Sequence, residues 1–331
     1  MTSERNYQLR HSLYLLLTAV IWGIAFVAQS VGMEHVGPFT FNAVRFFLGA
    51  VTLLPFILVR SKGRSGREAA GGAEQSARGG NGASGAEQSA RGGNGTSGAE
   101  QYARAGNGAS GGRMLLKGGL LCGAALAVAS SLQQIGIQYT TVGKAGFLTA
   151  MYIVAVPILG IFAGRKAGGK VWLAVLTAVA GMYFLCLAGG ELQIQKGDLY
   201  CIGCAFFFSL QIMLVDRFAP HVDGVQLSAL QFLVSGTVSA AFMFLTEQPQ
   251  LSQIFGAAVP ILYAGVLSCG AAYTLQVIGQ KGMNPTVASL IMSLESAISV
   301  IAGFLILHQT MTARELTGCA LMACAIVLAQ I

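Results

Sequence analysis

FTFNAVRFFLGAV, residues 39–51, returns in altered form as VQLSALQFLVSGT at residues 225–237. Each opens a longer apolar run, 39–59 in the first case and 224–245 in the second. About 20 helical residues at about 1.5 Å each match a hydrocarbon core about 30 Å thick. Ten runs of this kind follow one another, at 12–31, 39–59, 115–138, 145–163, 171–188, 198–215, 224–245, 254–278, 285–307 and 313–330. The two related stretches therefore begin the second run of two successive sets of five. Other pieces recur in the same order. LQQIGIQ (132–138) resembles LQVIGQ (275–280), and WLAVLTAVAG (172–181) resembles LTGCALMACA (316–325). The chain reads as two halves, 1–60 with 113–189, and 190–331. Five is odd, so the second half must cross the membrane in the opposite sense. Inverted repeats are a signature of secondary transporters, whose site lies at mid-membrane between the halves. The expected fold is an all-α polytopic membrane protein of ten transmembrane helices in two inverted five-helix repeats.

Composition agrees with lipid as the solvent. Of 331 residues, 54% are hydrophobic and only 10% charged, whereas soluble domains carry about a quarter charged residues. The formal charge of +7 does not point to nucleic acid, because the basic residues stand between apolar runs, as membrane topology requires. With the N-terminus in the cytoplasm, sixteen of the 20 Lys and Arg fall in inner segments and three in outer loops, with Arg45 inside a run. The expectation is that both termini are cytoplasmic. The first run follows Arg5 and Arg10 as a signal peptide would, but nine similar runs come after it, so a retained helix is expected. The seven cysteines lie within apolar runs and read as small hydrophobes. That includes the Cys201/Cys204 pair, since a redox or metal role needs a polar, accessible setting.

Residues 61–112 break the pattern. GAEQSARGGNGAS (72–84) is followed by GAEQSARGGNGTS (85–97) and GAEQYARAGNGAS (98–110). Each copy is neutral and rich in glycine, with almost nothing apolar to bury. The segment reads as a disordered, solvated cytoplasmic linker. The glycosylation pattern at Asn94 is discounted on the cytoplasmic side. Elsewhere, GxxxG at Gly119/Gly123 and Gly160/Gly164 reads as close helix packing, and Pro157 and Pro260 as sites of kinking.

Taken together, AVIWGIAFVAQ in run one, NAVRFFLGA in run two, LQQIGIQYTTVGKAGFLTAMYIVAVPILG across runs three and four, LIMSLESAISVIAGFLIL in run nine and ELTGCALMACAIVL in run ten resemble the EamA family of the drug/metabolite transporter superfamily. The resemblance covers nearly the whole chain outside 61–112. That family usually has Leu-Glu-Pro in the ninth helix, where this chain has Leu294-Glu295-Ser296. The glutamate is kept and the proline is not. The resemblance implies a proton- or gradient-linked carrier of small metabolites, often an exporter of amino acids or related compounds. It also implies a path lined by spans one, three, four, six, eight and nine.

Glu295 is the eleventh residue from Pro285, about 15 Å deep by helix rise. A carboxylate in lipid there costs at least about 2.5 kcal/mol, so it should face the bundle interior or a wet cavity. Three roles stay open: a protonatable coupling site, a partner for Arg45 or another donor that holds the bundle, or a substrate contact. Arg45 is the seventh residue of its run and keeps its charge at any depth. It either snorkels or pairs, or it binds a substrate carboxylate. Trp22, about half-way along run one, is away from the interfacial belts and is a candidate for stacking or gating. Gln29, Asn42, Gln133, Gln134, Tyr152, Tyr273 and Gln276 complete a candidate cavity, each able to bond another helix instead. Asp198 and Asp216, near the ends of run six, read as interfacial charges.

Rival classes are weaker. There is no GxxxxGK[ST] for ATP, so energy should come from an ion gradient or the substrate's own. No HExxH or GxSxG is present, and His11, His35, His221 and His308 sit near run ends without clustering, which argues against a membrane-embedded enzyme. A lipid flippase or passive channel-like permease is the remaining alternative. No cofactor or metal is expected, and the expected partners are a small-molecule substrate and lipid.

Overall fold

The computed structural model describes residues 2–78, 109–140, 142–165, 168–186, 196–307 and 313–330. All their regular structure is helical. Among the described residues, eight segments are long and apolar enough to cross a membrane: Arg5–Gly32, Pro38–Val59, Gly111–Ile137, Val142–Phe162, Lys196–His221, Gly224–Thr246, Ala258–Gln280 and Pro285–Ile306. In chain order the helices are α1 (Thr2–Gly32), α2 (Pro38–Arg78), α3 (Ala109–Ile137), α4 (Val142–Ala150), α5 (Tyr152–Phe162), α6 (Gly169–Cys186), α7 (Lys196–Phe218) and α8 (Gly224–Thr246). A short α9 (Leu251–Gly256) precedes α10 (Ala258–Leu262), a π-helix (Tyr263–Tyr273) and α11 (Thr274–Gln280), followed by α12 (Pro285–Met292), α13 (Leu294–Leu307) and α14 (Ala313–Gln330). The fifth and tenth runs correspond to α6 and α14. Their apolar windows, Gly169–Gly181 and Leu316–Ala325, are shorter than a full crossing, and the two helices pack on each other.

The exterior is apolar, unlike that of a water-soluble bundle, and the largely apolar core also holds polar side chains. Phe162, Phe244, Leu245 and Val259 point outward, while Gln134, Gln211, Gln231 and Arg45 are buried. Polar groups face inward because lipid offers them no hydrogen bonds. The helices pair in a pattern that exchanges the halves. α1 packs on α12 and α13, as α7 packs on α4 and α5. α3 packs on α7 and α8, as the π-helix and α11 pack on α1, and the π-helix on α2. Small residues allow the approach. A Cβ at Gly23 would meet Ile298 Cβ at 2.6 Å and the Glu295 carbonyl at 2.9 Å. Gly119 and Gly123 receive Leu230 and Val234 in the same way, as expected for GxxxG.

Gly160/Gly164 is different from its reading as a packing motif. Gly164 has φ +77°, and the amides of Arg165 and Gly164 donate to the carbonyls of Gly160 and Ile161 at 2.9 Å each. This is a Schellman ending for α5, which only a residue at ease in the left-handed region closes without strain. The insert also differs from expectation. α2 continues through Arg78, because extending an existing helix needs no new nucleus. Residues 79–108, with Asn94 and most of the repeats, lie outside the described residues.

The ninth span breaks at Ser293, between α12 and α13, without a proline. Serine hydroxyls replace it. Ser289, Ser293, Ser296 and Ser299 each donate to the carbonyl three residues back, at 2.7–2.8 Å. Such back-bonding competes with the helical ladder and bends it. The fourth span breaks likewise at Met151, between α4 and α5. Pro260 lies in α10, just before the π-helix.

Candidate functional site

The helix breaks and the π-helix face a small cavity of about 30 Å³ inside the bundle. It is lined by Trp22, Phe26, Gln29, Arg45, Gln133, Thr149, Tyr152, Phe208, Ile212, Ser268, Tyr273, Gln276 and Glu295. Apolar walls with a few converging polar groups are the arrangement of small-molecule binding sites. Eight of the ten residues singled out from sequence line it; Gln134 and Asn42 do not. Asn42 is buried on α2 with neither polar side-chain atom partnered.

Glu295 is 3% exposed and follows the Ser293 break. Its Oε1 accepts a hydrogen bond from the Tyr152 hydroxyl at 2.9 Å. The ion pair with Arg45 that the sequence allows is not formed; Tyr152 is the donor instead. Tyr152 itself follows the Met151 break, so two interrupted helices present the two halves of this bond.

Arg45 is 2% exposed, and its Nε and Nη2 have no hydrogen-bond partner. Its guanidinium lies over the rings of Phe46 at 4.9 Å and Phe41 at 5.6 Å. Each such contact contributes about 0.5–2 kcal/mol, which does not neutralise a buried charge. The aromatic contacts continue from Phe46 to Phe232, on to Tyr273, and from Tyr273 to Trp22 at 4.6 Å between centroids. Trp22 is fixed by donating Nε1–H to the Ser268 carbonyl at 3.4 Å. The π-helix supplies that carbonyl, in keeping with the tendency of π segments to occur at functional sites.

The amides divide the polar wall. Gln133 donates to Thr149 Oγ1 at 3.3 Å, and Thr149 also contacts Cys204 Sγ at 3.4 Å. Gln134, one residue on, turns away from the cavity and donates to the Gln29 carbonyl at 3.4 Å. Gln276 donates to Gln211 Oε1 at 3.1 Å. The oxygens Gln29 Oε1 and Gln276 Oε1 are buried without a partner. Cys201 and Cys204 are free buried thiols, with Cys204 donating to the Cys201 carbonyl at 2.9 Å.

Asp198 and Asp216 are more than interfacial charges. Asp198 pairs with Lys144 at 2.6 Å and accepts from Thr140 at 3.0 Å. Asp216 pairs with Arg165. Both ends of α7 are thus tied to the two ends of the α4–α5 span. At the start of α2, Glu247 accepts from the amides of Phe39 and Thr40 at 2.8 Å each and from the Thr40 hydroxyl at 2.6 Å. It satisfies donors that a helix N-terminus leaves orphaned.

Sequence reasoning missed Phe26, Thr149, Phe208, Ile212 and Ser268 as cavity residues. Thr149 was within reach, since it lies three residues before Tyr152 and so on the same helical face. The apolar residues carried no distinguishing signal.

The EamA-like transporter family model matches residues 9–71 and 195–330. An uncharacterized transporter of Archaeoglobus fulgidus is 24% identical over 336 residues, covering 99% of this chain and 88% of its own length. The Bacillus subtilis protein named uncharacterized transporter YoaV is 20% identical over 320 residues, covering 94% of each chain. A solved crystal structure superimposes with a TM-score of 0.70 at 15% identity, covering 96% of both chains, which supports the fold alone. A fold built to cross lipid, a cavity enclosed by its helices and a family match over more than half the sequence agree: the chain belongs to the EamA-like transporter family and is an integral, multi-pass membrane transporter.

Proposed function

We propose that the protein is a secondary transporter that exports small metabolites, such as amino acids or related compounds, by alternating access. The observation that carries this reading is the cavity, to which both halves contribute. Trp22, Arg45, Gln133 and Tyr152 come from the first half, and Phe208, Tyr273, Gln276 and Glu295 from the second. In this reading α6 and α14 complete ten crossings as two inverted repeats, and both termini are cytoplasmic. The exchange of helix pairings between the halves and the excess of Lys and Arg in the inner segments support it. Under the match of the halves, Tyr152 and Glu295 occupy corresponding places in the fourth and ninth spans, and they meet across the cavity.

Each lining group then has a role. Arg45 takes the substrate carboxylate, because its guanidinium is buried, charged and short of acceptors. Trp22 and Tyr273 give an aromatic wall for an apolar portion. Gln133 and Gln276 supply neutral polar contacts. Glu295 is the group that exchanges a proton, with Tyr152 holding its position.

Reconstitution in liposomes tests the reading. Flux of radiolabelled amino acids should saturate and should respond to an imposed pH gradient. Flux that stays linear well past millimolar concentration would favour a passive channel and overturn alternating access.

A further inference from the structure

Three buried glutamines on three different spans form a chain. Gln276 Nε2, at the cavity, donates to Gln211 Oε1 on α7 at 3.1 Å. Gln211 Nε2 donates in turn to Gln231 Oε1 on α8 at 3.2 Å. All three are at most 1% exposed. The chain ends in two buried atoms without partners, Gln276 Oε1 at the cavity and Gln231 Nε2 at the far end. Only Gln276 lines the cavity.

An amide carries a donor and an acceptor on one planar group. Two head-to-tail bonds therefore form equally well if all three amides turn over together. One polarity turns a carbonyl oxygen to the cavity, and the other turns an N–H group. Partial turnover sets donor against donor or acceptor against acceptor, which a dry interior makes costly. Ser228, one turn before Gln231 on the same face of α8, has an unpartnered hydroxyl that can donate or accept. No further hydrogen bond at either end fixes one polarity.

The match of residues 39–51 with 225–237 puts Gln231 at the position of Arg45. In the first half this position meets the cavity directly as a fixed cation. In the second half it reaches the cavity only through Gln211 and Gln276.

We propose that Gln211 and Gln231 are positioning residues that set the hydrogen-bonding face of Gln276, so that this end of the cavity accepts either a donor or an acceptor group of the substrate. The site is then polarised: a permanent anion-seeking end at Arg45 and an adaptable, neutral end at Gln276. Such a site fits carboxylates whose second polar group varies in kind. The substrate part of this inference rests on the transport reading; the relay itself does not.

Two measurements test it. The first needs no substrate: a double-variant cycle in thermal stability between Gln231→Met and Gln276→Met, residues that share no hydrogen bond. The relay requires non-additivity, with the double variant losing about as much Tm as the worse single variant, and additivity restored in a Gln211→Met background. Additive losses with Gln211 present overturn the relay. The second compares fluxes of L-glutamine and L-norleucine, matched in length but not in tail polarity. Gln211→Met and Gln231→Met should lower the glutamine-to-norleucine flux ratio about tenfold, the worth of one buried hydrogen bond. Gln211→Glu, which still accepts from Gln276, should keep the ratio. An unchanged ratio in both Met variants, or Met tolerated better than Glu at position 211, overturns the specificity role. If the wild type carries neither probe, the amino-acid transport reading fails and the cycle alone decides the relay.

Discussion

At the scale of single residues the two charges that line the cavity are held in opposite ways. Glu295 has a partner in Tyr152, whereas Arg45 has aromatic rings and two unpartnered nitrogens. An unpaired buried charge is a stability cost that persists where function needs it. Arg45→Met should therefore leave Tm unchanged or raise it, and abolish stabilisation by added carboxylates in a thermal-shift titration. A large fall in Tm would mean that Arg45 holds the bundle together. Glu295→Gln keeps an acceptor for Tyr152 and removes only the proton site. Flux driven by a pH gradient should collapse, while exchange of labelled for unlabelled substrate at equal pH persists. Loss of both would make Glu295 a binding residue, and loss of neither a structural one. Much of this was legible in the sequence, because a lone carboxylate or guanidinium in an apolar run announces itself. The partner of Glu295 was not, because a choice between Arg45 and Tyr152 depends on helix rotation, which hydropathy does not encode.

At the scale of elements, eight of the ten apolar runs fall on the eight long apolar helices, with ends that differ by up to seven residues, and the fifth and tenth fall on shorter apolar helices; length and apolarity are what lipid selects. Their interruptions were hidden. The break at Ser293 comes from serine back-bonding rather than from the missing proline, and the π-helix Tyr263–Tyr273 leaves no compositional trace. Close contacts are more readily tested. Gly23 brings α1 against the first turn of α13, where a Cβ would meet Ile298 and the Glu295 carbonyl. Gly23→Ala should destabilise by about 1–3 kcal/mol through overpacking and displace the Glu295 backbone. Ile298→Ala in the same chain should restore only part of the loss, because the Cβ at position 298 and the Glu295 carbonyl still stand in the way. Full restoration in detergent thermal unfolding would show that the atoms of Ile298 beyond Cβ alone set the distance.

At the scale of the whole molecule, bonds between the halves close the bundle at both ends. In the proposed orientation Lys144–Asp198 and the Glu247 cap on α2 lie at the outer end. Arg165–Asp216, the Tyr7 hydroxyl on the Lys281 carbonyl and His11 on the Gly279 carbonyl lie at the inner end. Alternating access requires one set to break while the other holds. The two ion pairs join the same two spans at opposite ends, so they offer a matched test. Each is partly exposed and is worth about 1 kcal/mol, enough to shift a two-state population about fivefold. Asp216→Asn should raise the rate at which a cavity cysteine, Ser268→Cys, reacts with an impermeant maleimide applied from the cytoplasmic side. Asp198→Asn should raise it from the outer side alone. The native cysteines set a background, measured in the chain without the Ser268 change. Opposite sidedness is the essential result, because general loosening of the bundle would raise both rates together. If each variant increases access from both sides, the pairs only brace the fold, and the gates lie elsewhere along the cavity.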